Sequence, residues 1–254
     1  MKVASREVQY VSVRDFQIRV PATCRPKGAK DHDKSQLSES IEEYVEGIWR
    51  LEREVQNVGT GEIAQYMNVS PASVTTMLKR LAERGLVEHT PYQSVRCTPK
   101  GDQLAVNLLR KHRLVERLLV DFLNLPWDGV HDLACKLEHY ISMDVADKIE
   151  GALGNPTTCP HGNPIDATFE DGSQRLSECP TGVQLEVAKV TDEREEFLTY
   201  LFAIGLLPGV VIEIADRTPF GDVLTLCVEG REKAVAVGKE VSTAVYVRPK
   251  PNIE

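Results

Sequence analysis

The sequence predicts an α+β protein, with helices in its first 150 residues and a small all-β part at its C-terminal end. Up to about residue 150, apolar side chains recur at the three- and four-residue spacing of amphipathic helices. After residue 182 they occur in short runs separated by turn residues. Between these parts, residues 151–182 contain five glycines and four prolines, a composition typical of a linker.

The N-terminal helices include a predicted helix-turn-helix. A first amphipathic helix starts at about Leu37. It is followed by a helix over Glu62–Met67 and, after a short turn, by a helix from Pro71 to Gly85. Ser70 suits the N-cap of this last helix, proline is favoured at the first helical position, and Gly85 suits the C-cap.

A hairpin then completes a winged helix. Leu86–His89 and Val95–Cys97 are short runs that can pair across the loop at Thr90–Ser94, and Thr98 can cap the helix that follows. The sequence therefore predicts a winged-helix domain over residues 37–100.

The rest of the chain divides into a helical domain and an all-β domain. Residues 101–150 have helical spacing, including one helix from Val130 to about Ile149, and precede the linker at 151–182. Residues 1–36 are predicted to be a weakly ordered extension with one short strand. Residues 183–254 are predicted to form a small β-barrel from strands at Gln184–Val190, Val210–Ala215, Val223–Val228, Ala234–Val237 and Val241–Val247.

Charge and cysteine content limit the class of protein. The net charge is −8, but residues 1–113 have a net charge of +4 and residues 114–254 one of −12, so only the first part suits contact with phosphates. Six dispersed cysteines without a CxxC pair argue against a disulfide framework or a four-cysteine zinc module. We find neither a signal-peptide pattern nor an apolar stretch of membrane-spanning length, which predicts a cytoplasmic protein without membrane contact.

A stripe of metal-binding residue types lies in the helical domain. In an α-helix, His131, Cys135, Glu138 and His139 would project from one face and could converge on an ion. Earlier helices offer two further pairs at helical spacing, namely His112 with Glu116 and Glu43 with Glu46. Imidazole, carboxylate and thiolate groups together suit iron, manganese, cobalt, nickel or zinc better than calcium or magnesium.

Each of these residue types also has a simpler explanation. The two glutamates of the first helix fit a solvated face, with Glu46 paired to Arg50 one turn later. A lone cysteine such as Cys135 is usually a small buried apolar residue. Cys159 and His161 would need two further ligands to bind zinc, so a structural role is expected for them. The joint occurrence of four residues within nine positions is what favours a metal site.

Several sequence motifs resemble those of the diphtheria toxin repressor family, and they follow one another in the same order along the chain. That family includes iron- and manganese-dependent repressors. The resemblance covers about residues 37–249. It implies a winged-helix DNA-binding domain, an all-α metal-binding and dimerisation domain and an SH3-like barrel similar to ferrous-iron-transport A proteins. Its motifs are EYVE at 43–46, RKHRLVER at 110–117, VHDLACKLEH at 130–139, CPHGNPI at 159–165 and the SH3-like segment at 201–214.

The resemblance implies two metal ions per subunit, with ligands that can be carried over by position. The primary site would consist of Glu43, Cys135, Glu138 and His139, with Glu46 as a carboxylate ligand of the manganese branch. The ancillary site would consist of His112, Glu116 and His131. In the SH3-like domain, Glu193 and Glu196 are the candidate ligands.

The implied metal is Mn(II) or Fe(II), acting as corepressor. Iron-type members have a methionine where Glu43 stands, whereas manganese-type members have carboxylates both there and at Cys135. This chain combines a hard oxygen ligand with a thiol, and we favour manganese slightly because three carboxylates outnumber one thiolate. A metal that joins the first helix to the helices of the dimer interface would link metal binding to DNA binding.

The resemblance implies a homodimer on double-stranded DNA. Two recognition helices in successive major grooves predict an inverted-repeat operator. The candidates for base contacts are Ser70, Ala72, Ser73 and Thr76. The candidates for phosphate contacts are Lys79, Arg80 and Arg96, which without the motif around them would be ordinary surface residues.

Two alternative functions remain at this point. A metalloenzyme could use a His/Glu/Cys site, although the sequence has no HExxH, nucleophile elbow or glycine-rich phosphate loop. A metal-independent DNA-binding or interaction protein could use the SH3-like barrel to bind the proline-rich linker or a peptide.

Overall fold

The winged helix forms as the sequence predicts. The computed structural model describes residues 38–89, 94–219 and 222–250, so the extension at 1–36 and the tip of the wing at 90–93 lie outside the described residues. Helices α1 (Glu39–Glu54), α2 (Thr60–Tyr66) and α3 (Pro71–Glu83) are followed by the short antiparallel strands β1 (Val87–Glu88) and β2 (Arg96–Cys97).

Helix α3 begins at the predicted N-cap, and its C-cap is Arg84, one residue before the predicted Gly85. The hydroxyl of Ser70 accepts a hydrogen bond from the backbone N–H of Ser73 at 3.2 Å, which satisfies a free donor of the first turn. Gly85 has a φ of +66°, a left-handed conformation that glycine adopts without strain. Val74, Leu78 and Leu81 are buried, so the opposite face of α3 is left to solvent.

The helical domain is built around the long helix α4 (Pro99–Arg117), which ends in a π-helical turn at Leu118–Phe122. The predicted single helix over Val130–Ile149 is wrong. It consists of α5 (His131–Leu137), a 3-10 turn (Glu138–Tyr140) and α6 (Met143–Ala152).

The break in this helix has a local cause. Ile141 is extended, and the Ser142 hydroxyl accepts a hydrogen bond from the backbone N–H of Val145, which starts a new helix. The 3-10 turn is also wound more tightly than an α-helix. The predicted ligands at 138 and 139 therefore do not continue the face of α5 that bears His131 and Cys135.

The C-terminal domain is a six-stranded antiparallel sheet in the order β3-β8-β4-β5-β6-β7. Inward-facing side chains alternate along its strands, as in β6 with Leu224, Leu226 and Val228, and α7 covers the core that they form. No pairing of β3 with β7 closes the described strands into a barrel. The elements are β3 (Gln174–Arg175), β4 (Gln184–Val190), α7 (Glu195–Ile204), β5 (Val211–Arg217), β6 (Leu224–Val228), β7 (Val235–Val237), α8 (Lys239–Ala244) and β8 (Val245–Pro249).

Two predictions for this domain need correction. The run Val241–Val247 is not one strand, because its first part belongs to α8, where Val241 reaches the same core from a helix. The linker is shorter than predicted, because Gln174 and Arg175 form β3 and pair with β8. Among the described helices, none is both long and apolar enough to cross a membrane.

Candidate metal centre

Glu116 on α4 lies at the centre of a buried group of three imidazoles. Its Oε1 atom is 3.0 Å from Nε2 of His112, 3.2 Å from Nδ1 of His161 and 3.7 Å from Nδ1 of His131. Its other oxygen, Oε2, is buried and has no hydrogen-bond partner among the described residues. A buried carboxylate oxygen without a partner is costly, so this atom suits a ligand.

Glu193 reaches the same group from the sheet domain. It follows β4, and its Oε2 atom lies 3.2 Å from Nδ1 of His131. The contact lacks hydrogen-bond geometry, since Nδ1 of His131 is a second buried atom without a partner. The other oxygen of Glu193 accepts a hydrogen bond from Nδ2 of Asn163 at 2.9 Å. The predicted ligand Glu193 is therefore held in place, next to a second carboxylate that it would repel unless a cation lay between them.

The linker supplies two groups that the sequence analysis set aside. His161 Nδ1 faces Glu116, while its Nε2–H donates to the carbonyl oxygen of Trp127 at 3.0 Å. Cys159 Sγ lies 4.0 Å from the same Nδ1. Gly162, directly after His161, has a φ of +86°, and a side chain there would overlap the backbone of β4. The two further ligands that spacing alone could not provide come from α4 and the sheet domain, as Glu116 and Glu193.

The cluster is ionic in the absence of metal. Burial by itself would raise the pKa of Glu116, but the charges and hydrogen bonds of the surrounding histidines lower it well below its ordinary value. Burial lowers the pKa of His131, yet its contacts with the neighbouring thiol and carboxylates raise it to about 12. For the same reasons the pKa of His161 rises to about 11.

Cys135 on α5 lies between two of these imidazoles. Its Sγ atom is 3.6 Å from Nε2 of His131 and 4.0 Å from Nδ1 of His112. Burial would raise the pKa of this thiol, but hydrogen bonds and charge from the two histidines lower it. Nδ1 of His112 also lies 2.6 Å from Oε2 of Glu138. His112 therefore connects the predicted ancillary residue Glu116 with the predicted primary residue Glu138.

Helix α1 contributes carboxylates from the winged-helix domain. Oε2 of Glu42 lies 2.6 Å from Nδ1 of His139. The sequence analysis missed Glu42, because in a run of three glutamates within five positions only the tertiary contact distinguishes it. Glu46 accepts a hydrogen bond from Nε of Arg50 at 2.8 Å, the pair expected for a helix face. A pocket of about 620 Å³ is lined by Glu43, Glu46, Arg50, His131, Cys135, Glu138, His139 and Glu193, together with neighbouring residues.

The donors present fit a transition metal. Three overlapping groups have ligand atoms within 4.8 Å of one another, and they combine imidazole, carboxylate and thiol. They are His112 with His131 and Cys135; His112 with Glu116, His131 and Glu193; and Glu116 with Cys159, His161 and Glu193.

Two sets of candidates do not converge in this way. Glu43, Glu46, Glu138 and His139 line the pocket but are not among the close ligand groups. Glu196 is exposed on α7 and lines a separate depression beside Tyr200 and Glu240.

A fourth group lies in the winged-helix domain, where Glu52, Cys97 and Asp102 have ligand atoms within 4.8 Å of one another. Burial and the charge of Glu52 raise the pKa of the Cys97 thiol, and its Sγ–H donates to the carbonyl oxygen of Val45. A thiol held protonated is a poor metal ligand.

The predicted DNA-contacting residues are all on the surface. Thr76 donates its hydroxyl to the carbonyl of Ala72 at 3.1 Å, and the hydroxyls of Ser70 and Ser73 are 2.9 Å apart. The exposed residues are Ser70, Ala72, Ser73, Thr76, Lys79, Arg80 and Arg96.

Exposed apolar side chains follow the π-helical turn and continue to the 3-10 turn. They are Phe122, Leu123, Leu125, Leu133, Leu137 and Tyr140. So many exposed large apolar side chains in one stretch of sequence make it a candidate interface with another protein chain.

Family models and known proteins agree with this architecture. The iron dependent repressor N-terminal DNA binding domain matches residues 36–95, the iron dependent repressor metal binding and dimerisation domain matches 98–167, and the FeoA domain matches 174–249. The iron-dependent repressor IdeR of Mycobacterium tuberculosis is 34% identical over 229 residues, which cover 84% of this chain and 98% of the relative. The diphtheria toxin repressor of Corynebacterium diphtheriae is 31% identical over 196 residues, covering 71% and 86%.

Solved structures of repressors have the same fold. A manganese-dependent transcriptional repressor in complex with manganese superposes with a TM-score of 0.76 at 29% identity, covering 83% of this chain and all of that one. ScaR with bound Zn²⁺ gives a TM-score of 0.72 at 29% identity, covering 83% and 99%. With these matches over all three domains, the chain belongs to the family of iron-dependent and diphtheria toxin repressors, which are metal-dependent transcriptional repressors.

Proposed function

We propose that this chain binds Mn(II) or Fe(II) as corepressor and, as a homodimer, then binds an inverted-repeat operator in metal-homeostasis genes. The observation that carries the proposal is the pocket in which carboxylates of α1, ligands of α5 and the turn after it, and Glu193 of the sheet domain meet. Family membership makes the chain a transcriptional regulator rather than an enzyme.

We propose two ions per subunit, the first where the ligand atoms converge and the second in the adjoining pocket. One would be held by His112, Glu116, His131 and Glu193, and we add Cys159 and His161 to the residues that can serve it. The other would be held by Glu43, Glu46, Cys135, Glu138 and His139, with His112 between the two sites. Glu196 lies outside both groups, and we leave it out of the proposal. The similar proteins include both an iron-dependent repressor and a manganese-dependent repressor solved with manganese, so both metals stay in the proposal.

The chain's own residues connect the pocket to the DNA-binding surface. When bound, an ion supplies the positive charge that holds carboxylates from separate elements together. Helix α1 packs closely on the end of α2 at Gly47, where a Cβ would lie 3.0 Å from Sδ of Met67. A change in the position of α1 therefore moves the helix-turn-helix, so metal and operator binding are thermodynamically linked.

We assign DNA contacts to the exposed residues of α3 and the wing, and dimerisation to the exposed apolar residues at 122–140. In this proposal, residues 37–100 bind DNA, and 101–150 dimerise and supply most of the metal ligands. The SH3-like domain, predicted at 183–254, begins earlier, at β3. We also infer a cytoplasmic location, where such a repressor would meet its operator.

The test is DNA binding by the full chain against titrated Mn²⁺ and Fe²⁺ without oxygen, on a duplex selected from a random pool. We expect Glu138→Ala and His139→Ala to abolish metal-induced binding and to leave the fold intact, because each removes a ligand that joins two elements. Glu196→Ala is the matched control and should behave like the parent chain.

Two results would favour the alternatives. Equal operator binding in the presence of a chelator would indicate a metal-independent DNA-binding protein. Metal-dependent turnover of a substrate in an activity screen would revive the metalloenzyme.

A further inference from the structure

We propose that Arg50 competes with the metal ion for Glu46. In the metal-free protein Arg50 is paired with Glu46, and this pairing raises the metal concentration needed for binding. This inference rests on the proposed function, because it concerns a pocket that we assign to metal. The proposed function names residues that bind the metal ion, and this inference names one that weakens metal binding.

The Arg50–Glu46 pair is formed inside the metal pocket. Nε of Arg50 donates to Oε1 of Glu46 at 2.8 Å, and the two side chains are 26% and 16% exposed. Both residues line the same pocket as Cys135, Glu138 and His139. A pair this sheltered from water is less screened than an ordinary surface ion pair.

The charge of Arg50 is directed toward the carboxylates of the pocket. Burial by itself would lower its pKa, but the charges of Glu46 and then Glu193 raise the pKa above its ordinary value. The other arginine of the pocket lining, Arg194, is 61% exposed and is paired with Asp192 and Glu240. Arg50 is thus the guanidinium that faces the predicted ligands, while Arg194 is occupied elsewhere.

A divalent ion and Arg50 compete for one carboxylate and repel one another. If Glu46 is to coordinate, its hydrogen bond to Arg50 must be given up or shared. A fixed positive charge in a partly buried pocket also opposes a second cation. Removal of Arg50 should therefore tighten metal binding. If Arg50 only oriented Glu46 as a ligand, its removal would weaken metal binding.

The experiment compares Mn²⁺ affinity of the full chain and its variants by isothermal titration calorimetry. Arg50→Met retains the aliphatic stem and removes the charge, and we expect the dissociation constant to fall about tenfold. Arg53→Met is the matched control, because Arg53 carries the same charge on the same helix but stacks on Trp49 at 3.3 Å, outside the pocket lining. That variant should bind Mn²⁺ like the parent chain.

Two further variants separate competition from a general loss of charge. Arg50→Lys keeps the cation and should stay near the parent affinity. In a Glu46→Gln background the competed carboxylate is gone and only the repulsion between the two cations remains, so Arg50→Met should produce clearly less than the tenfold gain. A full tenfold gain in that background would overturn the competition for Glu46.

The outcomes for Arg50 and for the proposed function are distinct. In one outcome, the parent chain binds Mn²⁺ and the Arg50→Met variant binds it equally well or more weakly. That result overturns the role of Arg50 and leaves the proposed function standing. If the parent chain binds Fe²⁺ but no Mn²⁺, the same variants are compared with Fe²⁺ without oxygen. A parent chain that binds neither metal overturns both proposals. Thermal unfolding checks that each variant folds, and Arg50→Gln replaces the methionine variant if that one does not.

Discussion

The Nδ1 atom of His139 lies 2.6 Å from Oε2 of Glu42, across 97 residues of sequence. The contact joins α1 of the winged helix to the 3-10 turn of the helical domain. A histidine that binds a metal generally donates its other ring N–H to a carboxylate, which fixes the tautomer. With Nδ1–H donated to Glu42, Nε2 is the nitrogen left to coordinate, and it lies 3.6 Å from Oε1 of Glu138.

We predict that Glu42→Ala weakens Mn²⁺ binding by about tenfold or more, because it removes the acceptor that holds the His139 ring in place. Glu39→Ala is the control, since Glu39 accepts a hydrogen bond from the Tyr140 hydroxyl on the surface instead. Calorimetric titration of both variants measures the effect. Equal affinities for the two would show that the Glu42 contact does not orient a ligand.

Cys135 should be more reactive than Cys97 in metal-free protein at neutral pH. The two neighbouring histidines lower the pKa of its thiol, whereas burial and Glu52 raise the pKa of Cys97. Iodoacetamide labelling followed by peptide mass spectrometry should show Cys135 modified ahead of Cys97, and Mn²⁺ should protect Cys135 specifically. Labelling of Cys135 that Mn²⁺ leaves unchanged would argue against thiolate coordination.

Metal binding should release protons and strengthen as pH rises. The contacts of His131 and His161 raise their pKa values to about 12 and about 11, so both rings are protonated at neutral pH without metal. Coordination needs a nitrogen lone pair, so an ion must displace a proton from each ring that it uses. Calorimetry in buffers of different ionisation enthalpy should detect at least one proton released per ion. Binding without proton release would exclude these rings as ligands.

The exposed face of α3 leads to a contrast between two substitutions. Thr76→Ala should change operator preference more than salt dependence, because Thr76 is exposed on the helix that we propose reads base edges. Arg80→Ala should weaken binding to all DNA sequences similarly, as expected for a phosphate contact. It should also flatten the slope of log affinity against log salt concentration by up to about one unit. Binding to operator and to unrelated duplex over a range of salt provides the measurement. Identical effects of the two changes would mean that α3 is not the recognition helix.

The mixed ligand set makes metal preference adjustable. Cys135→Glu would replace the thiol with a hard carboxylate and should raise the Mn²⁺ response relative to Fe²⁺, whereas Glu43→Met should lower it. We expect each substitution to change the ratio of the Mn²⁺ response to the Fe²⁺ response about tenfold, which corresponds to roughly 1.4 kcal/mol. Operator binding against both metals without oxygen is the readout. If both variants keep the parental ranking of metals, these two side chains do not determine selectivity.

The fold class and the exposed face of α3 were accessible from the sequence because they depend on local rules. The cap at Ser70, the left-handed Gly85 and the apolar spacing of α3 each involve residues close in the chain, and together they determine which face is exposed. The same local rules misplaced the end of α5, because helical periodicity extends through Glu138 and His139 and does not reveal that Ile141 is extended.

The metal centre depended on tertiary structure for a different reason. Residue types at His112, Glu116 and the α5 stripe indicated a metal site, since each pair is only one turn apart. Cys159, His161 and Glu193 join Glu116 only because Gly162 allows the linker to pack on β4 and brings the sheet domain against α4. Glu42 and Arg50 were ordinary residues of a charged helix until packing placed one on His139 and the other within the pocket. Sequence spacing shows which side chains share one face of a helix. The residues that contact that face come from other segments, and distance along the chain does not reveal which segments are close in space.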